Sequence, residues 1–469
     1  MQLADKFVDS KGLIAIHVQP RARNLKKLPK DFSGKKVTVF GLGISGQSAA
    51  LLAAALGAEI TVLDHRPQKD FSSALLEKLN QWDFHVFFGS FPSSALYNCD
   101  LMIVSPGVSP EIPELIPLKK RGIPMISELE FSSNMVKAPI VAVTGTNGKS
   151  TTTTLIGHIF AKAGRKVFVG GNLGDPLSRF VLETLKNEIS HDGIILEVSS
   201  FQLELIDKFC PKVAIILNIQ PDHQDRYEYF EDYVEAKGKI FQNMGPEHTL
   251  ILNKNDPHCM ELMPKAKEKG IKIELFSNDQ TSFLDLPGKH NQENMHAAIL
   301  AAQAFGISIE DIKGASKSYS PLKHRLENLD KISEVSFYND SKATNVHAAQ
   351  AALESFDGNL LWIAGGMMGE EKFFSLKDVV SKKVRYAFFI GESKNVLAKT
   401  FSGDCPIRPC DSLGEAIALA FAHATPEDIV LFSPACKSYD RYKNFEERGE
   451  HFRRLVEFLS QSNADKKPK

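Results

Sequence analysis

The sequence has no C-x-x-C pair. Its six cysteines, Cys99, Cys210, Cys259, Cys405, Cys410 and Cys436, are scattered. That argues against zinc or a disulfide framework and for free thiols in a reducing cytosol. An excess of one charge is also missing. Lys and Arg number 56 against 57 Asp and Glu, a formal net charge of -1, so no global field draws nucleic acid. No apolar run is long enough to span a membrane. Residues 1–20 carry Asp5, Lys6, Asp9 and Lys11 where a signal peptide needs an apolar core. Repeats and low-complexity tracts are absent. What is present is a globular composition, 43% hydrophobic and 24% charged over 469 residues, with room for about three domains. A cytoplasmic monomer that acts on small molecules, with no nucleic-acid or membrane partner, is expected.

The chemistry centres on Val141-Ala-Val-Thr-Gly-Thr-Asn-Gly-Lys-Ser-Thr151. Apolar residues 139–143 read as a buried strand, Gly145 to Gly148 as a tight loop, and Lys149 onward as a helix. A strand, a Gly loop and a helix N-terminus form an anion site, because free backbone N–H groups and the helix dipole point at one spot. Lys149 adds a charge for terminal phosphates, and the Ser150 hydroxyl suits Mg²⁺. Gly145, Thr146, Asn147, Gly148, Lys149, Ser150 and Thr151 are therefore candidate ATP contacts. The loop departs from G-x-x-x-x-G-K-[ST] in having Val143 at the first position.

Other strand ends in this region carry polar text: Asn172 after Gly170-Gly171, Glu197 before Val198-Ser-Ser-Phe201, and Asn218 before Pro221-Asp-His223. In a parallel sheet such ends face the ligand crevice. Glu197 reads as a Mg²⁺ ligand or as a helix-cap acid. His223 reads as functional or as structural. Lys237, on a helix, reads by itself as a surface lysine. Asn291 opens an Ala-rich helix as a cap or as an adenine contact.

Upstream, the strand Lys36–Phe40 runs into Gly41-Leu-Gly-Ile-Ser-Gly46, then a helix, then the strand Glu59–Leu63 ending in Asp64-His65-Arg66. This G-x-G-x-x-G turn with a following acid suits a dinucleotide or another nucleotide diphosphate. Gly41, Gly43, Ser45 and Gly46 would meet the diphosphate, Asp64 a ribose or base, and Arg66 a base or phosphate. Ser105-Pro-Gly107 makes a second small turn. Downstream, strands near 335–338, 359–364, 386–390 and 428–432 alternate with helices, so a third doubly wound domain is expected. The fold class is α/β with three domains: 35–137 Rossmann-like, 138–321 a P-loop parallel sheet, and 322–469 Rossmann-like. An N-terminal arm, 1–34, with a basic cluster from Arg21 to Lys30, precedes them. A dehydrogenase reading of the first turn leaves the P-loop unexplained. A silent nucleotide-binding scaffold is a further alternative, against which the resemblance described next sets Lys149, Glu197, His223 and Lys237.

Four further stretches are informative: Leu196-Glu-Val-Ser-Ser-Phe-Gln-Leu-Glu204, Asp222-His-Gln-Asp-Arg-Tyr227, Asn339-Asp-Ser-Lys-Ala-Thr-Asn345, and Ser433-Pro-Ala-Cys-Lys-Ser438 through Lys443-Asn-Phe-Glu446. With the P-loop, they make the chain resemble the Mur ligases from about residue 37 to residue 459. The P-loop alone is shared with folylpolyglutamate synthetases, which lack the first domain. The resemblance implies that ATP phosphorylates the carboxylate of UDP-N-acetylmuramoyl-L-alanine, and that the amine of D-glutamate then attacks the acyl phosphate. It implies two Mg²⁺ sites, one at Ser150 and Glu197 and one at His223 and a Lys237 carbamylated by CO₂. Asn172 would position the acceptor. Asn291, Arg325, Asp340 and Lys342 would bind ATP; Thr344, Ser438 and Phe445 would meet D-glutamate. The Gly41 turn, with Asp64, Arg66, Ser105 and Gly107, would hold the UDP moiety. One stretch departs from the family. After Gly365-Gly366 an acid and a lysine facing the amino-acid side chain are usual; here the text is Met367-Met-Gly-Glu-Glu-Lys372.

Overall fold

The computed structural model describes residues 32–464, except 83, 188, 225, 279–287, 321 and 369–372. Most of the N-terminal arm, its basic cluster and Lys372 lie outside the described residues. So does Asp225 of the Asp222–Tyr227 stretch.

Three sheets form. The first contains β1 (Lys36–Phe40), β2 (Glu59–Asp64), β3 (His85–Phe88), β4 (Leu101–Val104) and β5 (Met125–Ser127), in the order β3-β2-β1-β4-β5. The second contains β6 (Ile140–Thr144), β7 (Val167–Gly171), β8 (Gly193–Glu197), β9 (Val213–Ile216), β10 (Thr249–Asn253) and β11 (Lys272–Phe276), in the order β11-β10-β9-β6-β8-β7. Every pairing in both is parallel. The third contains β12 (Glu327–Ile332), β13 (Val335–Asn339), β14 (Leu360–Gly365), β15 (Val384–Ile390), β16 (Ile407–Pro409) and β17 (Ile429–Phe432), in the order β12-β13-β17-β14-β15-β16. Only β12 runs antiparallel.

The central strands are continuous apolar runs because helices cover both faces. Each residue of β6, β8, β10 and β14 is buried. In the second sheet Val141, Val143 and Ile195 share a core with Leu155, Ile159 and Met295 of the flanking helices. That core fixes the carboxyl ends of β6, β8 and β9, from which the polar loops emerge.

The chain divides into two compact units. One holds the described residues up to 137 together with those of 175–190 and 204–207; the other holds the described residues of 138–174, 191–203 and from 208 onward. Two short segments from the middle of the sequence thus fold with the first unit. Two buried glutamates hold them there. Glu128 accepts from the Ser178 amide at 2.6 Å, and Glu130 accepts from the Asp207 amide at 3.0 Å. The Ser127 amide donates to the Leu205 carbonyl at 2.9 Å. Burial pushes the Glu128 carboxyl up, against its bonds to Ser178 and Ser132.

Candidate active site

The loop after β6 turns at Gly145 and Gly148, with φ of 151° and 84°. Gly148 tolerates no side chain: a Cβ there would lie 2.4 Å from Asn294 Oδ1. The helix Lys149–Lys162 begins at once, with Gly148 as an N-cap that offers no side-chain acceptor. Its first amides are therefore left to an external anion. Asn218 braces the loop, accepting from the Asn147 amide at 2.8 Å and donating to the Asn147 carbonyl at 3.1 Å. Thr146 bonds Gln220 and the buried Tyr233 hydroxyl, the latter at 3.2 Å.

Two lysines converge on this loop. Lys149 Nζ donates to the carbonyls of Gly145 and Thr146 at 2.8 and 2.9 Å. Lys237 Nζ donates to the same Gly145 carbonyl at 3.0 Å and is 1% exposed. Desolvation lowers the Lys149 ammonium, against the attraction of Glu197. Burial, and then the charge of Lys149, drive Lys237 well below the ordinary lysine range. The surface-lysine reading of its sequence position is wrong: the helix Phe230–Gly238 turns Tyr233, Ala236 and Lys237 inward.

Glu197 ends β8 beside them. Its Oε1 accepts from Asn172 Nδ2 at 2.7 Å, and the Asn172 amide donates to the Glu197 carbonyl at 2.8 Å. Its Oε2 is buried without a hydrogen-bond partner. Burial would raise the carboxyl, but Lys149 and Lys342 outweigh it and hold Glu197 ionised. Ser150 Oγ accepts from Lys342 Nζ at 2.7 Å. His223 adopts φ 55°. Its ring lies 4.7 Å from that of Phe201 and 6.2 Å from that of Tyr233, and the Tyr233 ring holds Lys237 Nζ at 4.4 Å. Tyr233 thus stands between two of the proposed metal-binding residues. Among the described residues, no three His, Cys, Asp or Glu side chains are grouped to hold a metal.

A cavity opens next to the loop, walled by Gly148, Asn294, Arg325, Asp340 and Lys342 among others. Asn294 Nδ2 and Arg325 Nε are buried without partners. The wall takes His290, Glu293 and Asn294 from the helix Lys289–Ala304, whereas Asn291 does not line it. Positions i, i+3 and i+4 share a helix face, and i+1 turns away. Asp340 accepts from Ser433 Oγ at 2.8 Å and from the Leu326 amide at 3.1 Å. Burial raises its carboxyl to about 7. Desolvation lowers Lys342 to about 8. Lys342 Nζ also stands 5.3 Å over the Phe445 ring. Thr344 follows on the same loop, its amide donating to the Lys342 carbonyl at 2.9 Å. Ser438 is buried after β17, and Lys437 beside it is exposed.

The first unit carries a second strand–turn–helix. Gly41 has φ 96° and packs against Ser105, whose hydroxyl donates to its carbonyl at 2.7 Å. A Cβ on Gly46 would fall 1.9 Å from that carbonyl. Gly43 and Gly107 are exposed and Ser45 half-buried. Asp64 is not placed as the sequence suggested. Its Oδ1 accepts from the Arg66 amide and Nε at 2.9 and 3.0 Å; its Oδ2 accepts from Arg66 Nη2 and the Leu42 amide, both at 2.7 Å. With both oxygens doubly engaged, no acceptor is left for a ribose or base. Asp64 orders the turn instead. Arg66 lies over Phe71, 4.5 Å from the ring centre.

Comparison with known proteins agrees with this geometry. Residues 35–127 match the family described as the Mur ligase MurD-like N-terminal domain. Residues 143–285 match the Mur ligase middle domain, and residues 324–436 the Mur ligase glutamate ligase domain. The UDP-N-acetylmuramoylalanine–D-glutamate ligase of Acidobacterium capsulatum is 37% identical over 455 residues, 91% of this chain and 97% of that protein. Its namesake in Geotalea uraniireducens is 36% identical over 450 residues, 91% and 98%. Among solved structures, MurF ligase from Thermotoga maritima in complex with ADP aligns with a TM-score of 0.57 at 16% identity, over 93% of this chain and 99% of that one. A pseudomurein peptide ligase type C from Methanothermus fervidus aligns at 0.56 and 18%, over 91% and 100%. These two speak for the fold. With the sequence matches, they lead to one assignment: the chain belongs to the Mur ligases, among the UDP-N-acetylmuramoylalanine–D-glutamate ligases.

Proposed function

We infer that this chain is an ATP-dependent amide ligase that adds D-glutamate to UDP-N-acetylmuramoyl-L-alanine, a step of peptidoglycan precursor synthesis in the cytoplasm. The observation that carries this is the meeting of Lys149, Lys237 and Glu197 around the loop Gly145–Ser150. The γ-phosphoryl group passes from ATP to the acceptor carboxylate, giving an acyl phosphate and ADP. The D-glutamate nitrogen then bonds to the acyl carbon, a tetrahedral centre forms, phosphate leaves with the C–O bond, and a proton is lost from nitrogen. Such a transfer between anions depends on positioning and on positive charge.

In this reading Lys149 and the amides of Gly148 to Thr151 hold the phosphates. Asn294, Arg325, Asp340 and Lys342 surround the nucleotide, with Asn291 behind the wall. The residues fit Mg²⁺: Glu197 Oε2 is a buried acceptor without a partner, close to the Ser150 hydroxyl. Oxygen donors of this kind suit a hard cation. Mg²⁺ held by Ser150 and Glu197 supplies charge neutralisation to the transferring group. Lys237 is proposed to be carbamylated. Its Nζ, once deprotonated, would bond to the carbon of CO₂ and shed a proton, and the resulting carbamate would offer oxygen ligands, with His223, for a second Mg²⁺. Asn172, fixed by Glu197, positions the acceptor. The turn Gly41–Gly46, with Ser105, Gly107 and Arg66, binds the UDP end. Thr344, Ser438 and Phe445 meet D-glutamate.

The test is ATP-dependent phosphate release with UDP-N-acetylmuramoyl-L-alanine and a panel of D- and L-amino acids. Release with D-glutamate alone is expected. Release with another amino acid would move the substrate, and no release with any would overturn the reading.

A further inference from the structure

Among the described residues Arg448 is the second-largest side chain that is fully buried, at 1% exposure. A buried guanidinium normally has a carboxylate partner. Here, among the described residues, the fork makes no ion pair. It is directed instead at two loops. Nε donates to Ser341 Oγ at 3.1 Å, Nη2 to the Ser341 carbonyl at 2.8 Å, and Nη1 to the Cys436 carbonyl at 2.9 Å. The first loop follows β13 and carries Lys342 and Thr344. The second follows β17 and carries Lys437 and Ser438.

A third loop is drawn in. Arg448 Nη1 lies 3.1 Å from where a Cβ on Gly366 would sit, and the Lys437 carbonyl 2.4 Å from it. The Met367 amide donates to that same carbonyl at 2.9 Å. The helix Phe445–Ala464, which supplies Arg448, is joined to the set as well, because Ser341 Oγ donates to the Phe445 carbonyl at 2.8 Å. One rigid planar group therefore sets the spacing of the loops after β13, β14 and β17 and of Phe445. A lysine has a single nitrogen and lacks the rigid fork that holds these acceptors at fixed spacing.

We propose that Arg448 is the positioning residue of the amino-acid site: its fork fixes the distance between Thr344, Ser438 and Phe445. This rests on D-glutamate being the amine. It touches the nucleotide less, because Asp340 is held independently by Ser433 and the Leu326 amide. A role confined to stability would lower the active fraction and leave each KM alone.

The test uses the full chain and the variants Arg448→Lys, Arg448→Gln and Ser341→Ala. Thermal unfolding is recorded, then KM for D-glutamate, ATP and the UDP substrate. Acyl phosphate formed without any amino acid is trapped with hydroxylamine as the hydroxamate. The expected result for Arg448→Lys is a D-glutamate KM raised about tenfold or more, with the UDP-substrate KM and the hydroxamate yield per folded enzyme within about twofold of wild type. Ser341→Ala, which removes one of the three acceptors and keeps both carbonyls, should raise the D-glutamate KM about threefold. It decides the matter should the Arg448 variants not fold. An unchanged D-glutamate KM in every variant that folds overturns the proposal. A wild-type enzyme that releases no phosphate with D-glutamate overturns the functional reading instead.

Discussion

Two strand–turn–helix elements in this chain look alike in sequence and differ in chemistry. The turn Gly41–Gly46 and the loop Gly145–Gly148 each leave a buried parallel strand, each need glycine where the backbone turns back, and each enter a helix without a side-chain cap. At the first, Arg66 is bound by Asp64 in a two-point pair. The second has Lys149 and Lys237 on a single carbonyl, with Glu197 and Lys342 alongside. Helix amides alone suffice to hold a diphosphate that does not react. Moving a phosphoryl group requires charge that strengthens its grip as the bond breaks. The difference between a binding turn and a reacting loop lies in desolvated charge, not in glycine spacing.

The largest expected effect tests that contrast directly. Lys149→Ala should lower kcat for phosphate release by roughly a thousandfold, while the affinity for the UDP substrate, measured by calorimetry, stays within about twofold. If the UDP substrate binds far more weakly in the variant, the two elements are not independent in the way proposed. Lys237→Ala comes next, with a loss of roughly a hundredfold. Because the missing group is an oxygen ligand, formate or acetate should restore part of the activity, and Lys237→Arg should not be rescued. Full activity, or loss with no rescue by either acid, would end the carbamate proposal.

Gly46→Ala strikes the other element. Its Cβ would sit 2.5 Å from Ser105 Oγ and 1.9 Å from the Gly41 carbonyl, backbone that cannot give way without opening the turn. The UDP-substrate KM should rise about tenfold or more, with the ATP KM unchanged in the same assay. An equal rise for ATP would show that the turn acts on both ligands.

Much of this was legible in the sequence. The Gly-rich turns, the apolar central strands and the polar strand ends are local patterns, and the three sheets follow from them. What was not legible depends on partners far along the chain. Nothing local marks Ser178 and Asp207 as belonging with the first unit, since the carboxylates that claim their amides lie 50 and 77 residues before them. The hairpin β12–β13 turns at Ser333 and Glu334, both with positive φ, at 50° and 64°. Neither residue type signals such a turn. The edge strands β3, β5 and β16 are three or four residues long, too short to show a period. Asn294 was passed over for Asn291 because helix phase relative to a cavity needs the cavity. Lys237 could not be told from a surface lysine, because its burial is imposed by Tyr233 and the Gly145 carbonyl.

Asp64 gives the smallest effect and sharpens the contrast most. In the first turn the acid organises the backbone rather than meeting a cation at the ligand. Burial would raise its carboxyl, but the Arg66 fork and the amides of Leu42 and Arg66 outweigh burial and hold it below 3.8. Asp64→Asn keeps one oxygen for the Leu42 amide and loses the charge. The UDP-substrate KM should rise only about threefold, the scale of one weakened hydrogen bond. Stability carries the sign of the mechanism. A carboxyl depressed in the folded state contributes stability that is complete above its unfolded value and is lost as pH falls through the folded value. Wild type should therefore be more stable than Asp64→Asn at pH 6 and above, and the gap should close as pH drops below about 4. Urea unfolding of both proteins between pH 3 and pH 7 measures the gap. A gap that stays constant with pH would mean that shape alone holds the turn, and that charge plays no part in the first element at all.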